Sequence, residues 1–291
     1  MKSLLLFALC VYSSDGGSTA TLEAAGITRL CAESDLSSRE PLPIPGITAR
    51  ANLASPTRIP WIVANGWRFT RNPGGKYVYD LPVGRAELAA AEAHAYGADA
   101  AVKIDPSDAG LLGAMLTFLE GLPAANLPVI ADLAIVDDGS AVTGEVMNLL
   151  ARRNLLYQIV TASSPRSPIT ITIGSPQYPR EEAADPSAFA LKIRRQLTDD
   201  QRTLRVFGSE TVICRLTGDE RQTRLHLINY GGRDIEGLRI RVRGSYSSGA
   251  FHVVGVGRVP LQDHVIESGT TEFSVPRLTT YAVVDLARTA P

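Results

Sequence analysis

Three groups of carboxylates follow apolar stretches of this chain: Glu33 with Asp35, Asp105, and Asp137 with Asp138. Two carboxyl groups held about 5 to 9.5 Å apart can serve as acid and as nucleophile or base at a glycosidic bond. In parallel sheets, ligands gather at the carboxyl ends of the strands, which is where these residues fall. Each also has a purely structural reading. Asp105 precedes Pro106 in the pattern of a helix cap, and Asp137-Asp138-Gly139 has the composition of a turn.

A second group is aromatic and basic: Trp61, Trp67, Arg68, Phe69, Arg71, Lys76, Tyr77 and Tyr79, interrupted by Asn65-Gly66 and by Asn72-Pro73-Gly74-Gly75. Trp and Tyr pair a flat apolar face with a polar edge, which suits stacking on a sugar ring while Asn and Arg hydrogen-bond its hydroxyls. Asn65, Trp67, Arg68 and Tyr77 are therefore the candidate ligand-binding residues. The competing reading is that alternate residues pack a hairpin.

Other chemistries lack their signatures. Gly74-Gly75-Lys76 is not a phosphate loop, because Thr70 stands where the first glycine belongs and Tyr77 replaces the metal-binding hydroxyl. Gly255-x-Gly257 lacks the third glycine of a dinucleotide fingerprint and lies in a β region. No G-x-S-x-G or H-E-x-x-H occurs. His94, His226, His252 and His264 lie far apart and read as surface or internally satisfied positions. The arginines at 239, 241 and 243 read as a solvated strand face. No metal or other cofactor is expected.

The composition of the 291 residues, 45% apolar and 20% charged, is that of a globular protein long enough for two modest domains. Twenty-nine basic against 30 acidic residues, with no basic run, argue against nucleic acid as a partner. Cys10, Cys31 and Cys214 have neither zinc-ligand spacing nor the look of a disulfide framework. Lys2 and the apolar run Leu4 to Val11, with Ser18-Thr19-Ala20 behind it, read either as a short export signal or as a buried first strand followed by a turn at Asp15-Gly16-Gly17. The signal reading places the protein outside the cytoplasm or in the periplasm, and the strand reading allows a cytoplasmic one. No apolar stretch reaches the ~20 residues of a transmembrane helix.

The elements that must position these residues alternate along the first two thirds. After a proline-rich loop over 36–60, a strand is expected at Trp61 to Ala64, then a hairpin or irregular loop to Tyr79. Arg85 to Tyr96 is an alanine-rich helix with Gly97 at its C-terminal stop, and Ala100 to Ile104 is a strand. Leu111, Leu112, Met115, Phe118, Leu119 and Leu122 form an amphipathic stripe. Strands are expected at 128–136, 156–160 and 169–173, with helices at 145–153 and after Asp185-Pro186, and Leu204 to Phe207 closes the region. Beyond it the apolar period becomes two, with turns at about 8- to 12-residue spacing. The expected fold is an α/β region, a mostly parallel sheet layered with helices, followed by a C-terminal antiparallel β-sandwich. Residues 1–20 form the signal or first strand, 21–208 the α/β region and 209–291 the sandwich.

From Ile59 onward this order of parts resembles the C-terminal portion of β-galactosidase-type glycoside hydrolases. IPWIVANGWRF, ELAAAEAHAYGADAAVKID and LLGAMLTFLEGL are similar to the last units of a (β/α)8 barrel. LPVIADLAIVDDGS through GEVMNLLARRNLLYQIV is similar to an amidotransferase-like domain, and TEFSVPRLTTYAVVDL to the end of a β-sandwich. A barrel takes eight strand–helix units in ~250 residues, so the strands carrying that family's catalytic glutamates are expected to be missing, and none of its catalytic residues is assigned to this chain. The resemblance implies a carbohydrate-associated protein that binds a saccharide rather than hydrolysing it. The alternatives are a hydrolase using the strand-end carboxylates, or a scaffold without a small-molecule site.

Overall fold

The computed structural model describes residues 8–13, 19–48, 61–162 and 168–288. The turn expected at 15–17 and the proline-rich stretch over 49–60 lie outside them. The α/β region followed by an antiparallel sandwich is what the structure contains.

The first layer comprises β1 (Ala8–Ser13), α1 (Thr19–Ala24), α2 (Glu33–Leu36), β2 (Glu40–Pro41), β3 (Gly46–Thr48), β4 (Trp61–Val63), α3 (Gly66–Arg71), β5 (Lys76–Asp80), α4 (Ala86–Tyr96), β6 (Asp99–Ile104) and α5 (Ala109–Gly121). Strands β1-β6-β5-β2 form a parallel sheet, with β3 and β4 as a separate antiparallel pair. Leu30 bridges in parallel to Val11 and so extends the sheet beyond β1. Where a hairpin or irregular loop was expected between Asn65 and Tyr79 there is a helix, α3, leading into a parallel strand, β5. Packing decides this: Trp67 and Phe69 are both buried on α3, and Gly66 lies so close to Tyr96 that a Cβ there would sit 2.2 Å from its ring.

The second layer comprises β7 (Leu133–Val136), α6 (Ala141–Arg152), β8 (Tyr157–Val160), β9 (Ile169–Thr172), α7 (Arg180–Ala183) and α8 (Pro186–Gln201). Its parallel sheet runs β8-β7-β9. Ser140 caps α6 and Asp185 caps α8, each through its side-chain oxygen. The apolar run 128–136 is divided: only Leu133–Val136 joins this sheet, while Val129 bridges to Thr217 of the sandwich.

The sandwich is built from β10 (Leu204–Phe207), β11 (Val212–Gly218), β12 (Gln222–Asn229), β13 (Ile235–Arg243), β14 (Ser248–Val253), β15 (Gly257–Pro260), β16 (Gln262–Glu267), β17 (Thr270–Leu278) and β18 (Tyr281–Ala287). One sheet has the order β10-β13-β17-β16, the other β11-β12-β18-β14-β15. β10 was expected to close the α/β region, but it pairs antiparallel with β13. There Leu204, Arg205, Val206 and Phe207 lie opposite Val242, Arg241, Ile240 and Arg239, so the whole strand joins the ladder. The arginines of β13 face β17, where Glu272 takes ion pairs from Arg239 and Arg241.

Helix α4 is the pivot. Ala89, Ala90, Ala91 and Ala93 are fully buried, because the helix is enclosed by the first sheet, α3, α5 and strand β12 of the sandwich. A helix buried all round needs small side chains to admit neighbours on every side. Its one buried acid, Glu92, is 0% exposed and takes four donors: Asn65 N at 2.5 Å, Asn65 Nδ2 at 3.1 Å, Tyr79 Oη at 2.6 Å and Tyr230 Oη at 2.6 Å. Burial raises the Glu92 pKa, and the hydrogen bonds from Tyr230, Tyr79 and Asn65 oppose that rise. Removing the carboxylate leaves the Asn65 backbone amide and both tyrosine hydroxyls sealed without their acceptor, so Glu92→Leu is expected to cost roughly 3 kcal/mol or more, read as a drop in the midpoint of urea unfolding.

Cys10 and Cys31 form a disulfide, with a Cα–Cα distance of 5.4 Å, contrary to the expectation from their spacing. The bridge arises because Val11 N donates to Arg29 O and Cys31 N donates to Val11 O, setting the two segments side by side. Closing a loop over 21 residues is worth about 3 kcal/mol. Alkylation of unreduced protein should label no cysteine when native and Cys214 alone when unfolded, with all three labelled after reduction. Mass spectrometry of the intact chain checks this.

Candidate functional site: a cationic cavity between the layers

Asp105 follows β6 in one parallel sheet, and Asp137 and Asp138 follow β7 in the other. Asp105 Oδ1 accepts from Ser107 N at 2.9 Å and Ser107 Oγ at 2.6 Å, bonds that hold its carboxyl below the usual range. Asp137, at the end of β7 in the other parallel sheet, is clamped by Arg71, with Nε to Oδ2 at 2.8 Å and Nη2 to Oδ1 at 2.7 Å. Its neighbour Asp138 is partly desolvated, which alone would raise its pKa, but bonds from Ser140, Thr143 and Arg180 outweigh this and hold it well below the ordinary value. Asp35 accepts from Ala32 N at 3.0 Å in α2, beside exposed Glu33. Glu33 shares its surroundings with Lys103, Asp80 and Tyr12, which stand at the ends of adjacent strands.

The aromatic group is brought together, but inward. Asn65 is fully buried and donates to Pro43 O and Glu92. Trp67 is 9% exposed, packs with the core of the second layer, and carries the Arg68 guanidinium over its ring at 4.2 Å. Tyr77 is 1% exposed and donates to Asn72 O at 2.8 Å. The ring faces of both aromatics are spent on internal packing.

The concave space lies elsewhere. β11, β12 and β18 turn Cys214, Leu216, Leu225, Leu227, Ala282 and Val284 into the sandwich core. Their alternate residues, including Arg215, Thr217, Arg224, His226, Tyr281 and Asp285, therefore face the opposite way, towards α4 and α5. Between that face, the C-terminal half of α4, α5 and the segment 122–127 lies a cavity of about 600 Å3. Arg29, His94, Asn126, Arg215, Arg224 and His226 are among its lining residues, and Glu120 is the one carboxylate among the described residues that line it. A second, more apolar cavity of about 440 Å3 lies beside it, with Tyr96 and Arg215 belonging to both walls.

Two of the lining residues, His94 and His226, share a buried hydrogen-bond partner. Tyr281 Oη lies 2.6 Å from His226 Nδ1 and 3.0 Å from His94 Nδ1. A hydroxyl has a single proton to donate, so the arrangement is satisfied when one imidazole carries its proton on Nδ1 and the other does not. Burial, then the charges of Arg224 and Arg215, lower His94 to about 4. Burial, His94 and the same arginines hold His226 well below its ordinary value. Arg224 itself is neutralised by Asp285, with Nε to Oδ1 at 2.6 Å and Nη2 to Oδ2 at 2.8 Å. Of these residues the sequence marks only the histidines, as surface or internally satisfied positions, and His94 and His226 are satisfied internally by Tyr281; the others lie too far apart along the chain to be grouped. The signal lay in the period-two strands: a polar Arg215, Thr217, Arg224 or His226 between apolar neighbours marks an outward face, and two such faces side by side mark a surface to be covered.

No family model matches the chain, and no curated protein matches its sequence. Among solved structures it is similar to alpha-L-fucosidase isoenzyme 2 from Paenibacillus thiaminolyticus, with a TM-score of 0.58 and 10% identity, over 87% of this chain and 65% of that one. It is also similar to a rhamnosidase from Novosphingobium sp. PP1Y, at 0.49 and 11% over 74% and 31%. A third similar structure is a beta-galactosidase from Bacillus circulans sp. alkalophilus, at 0.45 and 8% over 94% and 58%. The chain has a glycoside-hydrolase-like fold, shared with the fucosidase, and it spans just under two thirds of that protein's length. Among the described residues no group of His, Cys, Asp or Glu is arranged to hold a metal ion, and no helix is long and apolar enough to cross a membrane.

The depressed imidazoles have a pH signature. Unfolded, each takes up a proton near its ordinary 6.5, whereas in the folded chain His94 stays neutral down to about 4. Between these values the unfolded state binds more protons, so the stabilisation is complete above the unfolded value and is lost as pH falls through it. Unfolding midpoints should drop between about pH 7 and about pH 5 with a slope of up to two protons, and His94→Gln should flatten that slope.

Proposed function

We propose that this chain is a saccharide-binding protein on a glycosidase-like scaffold, related to the closing part of such enzymes, and that its ligand sits in the cavity between α4 and the outer face of the sandwich. The observation that carries the reading is the lining of that cavity: guanidinium, imidazole, amide and hydroxyl donors beside Leu116, Leu119 and Tyr96. Sugar recognition uses this mixture of directed donors and apolar faces. The likeness of the fold to the fucosidase adds support. So does the sheet order, in which the first strand β1 lies beside β6, the last strand of its sheet in chain order, as the ends of a closing barrel would.

Binding is favoured over hydrolysis by the state of the carboxylates. Hydrolysis of a glycoside uses two facing carboxyl groups; Glu120 has no second acid across this cavity among the described residues, and Asp137 is held by Arg71. The disulfide suits an oxidising, exported setting.

Calorimetric titration of the whole chain with a panel of neutral and acidic oligosaccharides, paired with a reducing-sugar assay, tests this. Saturable binding without sugar release is expected. Asn126→Trp, placed on an exposed segment of the cavity wall, should weaken binding about tenfold or more while leaving the melting temperature unchanged. Release of sugar that is abolished by Asp105→Asn or Asp137→Asn would establish the hydrolase instead, and a panel without any binder would remove the reading.

A further inference from the structure

Arg215 differs from Arg224, the other arginine that the sandwich contributes to the cavity wall. Arg224 is matched by Asp285, whereas no carboxylate among the described residues lies within ion-pair distance of Arg215. Its guanidinium is nevertheless held in place: Nη1 donates to Ala95 O at 2.6 Å, and the group lies over the Tyr96 ring at 5.0 Å from the centroid. Of the five donors of an arginine, this contact uses one, and none of its nitrogens is sealed without a partner. The remaining donors are therefore open to the space that Arg215 lines, at the wall shared by the two cavities.

A positioned, charge-uncompensated guanidinium at a concave, half-dry wall is the arrangement that recognises planar oxyanions by paired hydrogen bonds. We propose that the cavity carries an oxyanion subsite centred on Arg215, and that the ligand is an acidic saccharide whose carboxylate or sulfate docks there. This rests on the saccharide-binding reading and names its substrate class. The neighbours agree with it. Arg224 in the same lining is neutralised by Asp285, and the His94 and His226 imidazoles, held neutral beside the two guanidiniums, carry no charge that would compete for the anion. Thr217 and Asn126, in the same lining, provide hydroxyl and amide partners for the rest of a sugar.

The test is a calorimetric comparison of one oligosaccharide in three forms: an oligogalacturonate, its methyl ester, and the corresponding sulfated neutral oligosaccharide, each with wild-type protein, Arg215→Gln and Arg215→Lys. The acid or the sulfated form should bind at least about tenfold tighter than the ester, the factor carried by one charge-assisted hydrogen bond. Which of the two prevails distinguishes carboxylate from sulfate. Arg215→Gln should bring the charged form down to the ester's affinity, and Arg215→Lys should restore part of the difference. Added salt should weaken the charged ligand alone. If Arg215→Gln fails to fold, the wild-type preference and its salt dependence still decide. Equal affinity for charged and esterified forms, unchanged by either substitution, would overturn the oxyanion subsite while leaving saccharide binding intact. Absence of binding by every form would overturn both.

Discussion

A buried carboxylate organises this protein. Glu92 sits on the most enclosed helix of the molecule and gathers donors from the start of α3, from β5 and from the residue after β12. A charge in such a place is tolerated only when its oxygens are fully engaged, and the four bonds dictate where three separate segments must lie. The alanines around it then set the spacing, since they let a sheet, two helices and a sandwich face approach one helix from different sides. The cavity is what remains where that close approach ends, at the C-terminal end of α4, where Tyr96 and His94 replace alanine.

The location of the candidate site follows from the same geometry. In an isolated sandwich the outward residues of β11, β12 and β18 would meet water, and their polarity would need no comment. Here they face another layer, so each buried polar group has to find a partner: Tyr281 with two imidazoles, Arg224 with Asp285, Arg215 with a carbonyl and an aromatic ring. The strand ends of the parallel sheets, where ligands gather in many α/β proteins, are used for capping and for holding the layers together. Arg71 bonded to Asp137 joins α3 to the end of β7.

Features set by local chemistry were legible in the sequence. Asp105 and Asp185 do accept the amide hydrogens that caps require, Gly97 takes the left-handed conformation at φ 64°, and the period-two strands of the sandwich appear close to where they were expected. Features set by distant partners were not. Asn65-Gly66 has the composition of a turn, yet the amide and side chain of Asn65 are claimed by Glu92, and a helix begins there. The run 128–136 is nearly all apolar, but its first part is recruited by β11 and only its second, as β7, by β8 and β9. The aromatic group at 61–79 offers the residue types of a sugar platform, and only the packing of Trp67 and Tyr77 shows that their faces are occupied. Cys10 and Cys31 become neighbours through a strand pairing that their spacing does not encode.

The Glu92 arrangement also bears on how the molecule comes apart. One of its donors, Tyr230, belongs to the sandwich, and Ile213, Ile228, Tyr281 and Val283 from the same sheet face share the hydrophobic cluster of the first layer. A fragment ending before β11 would expose that cluster and strand a buried acid with fewer donors than it has oxygen lone pairs. The two parts are thus distinct in architecture but not in cooperativity: loss of either removes the support of the other, and the chain behaves as one unfolding unit rather than as two beads on a string.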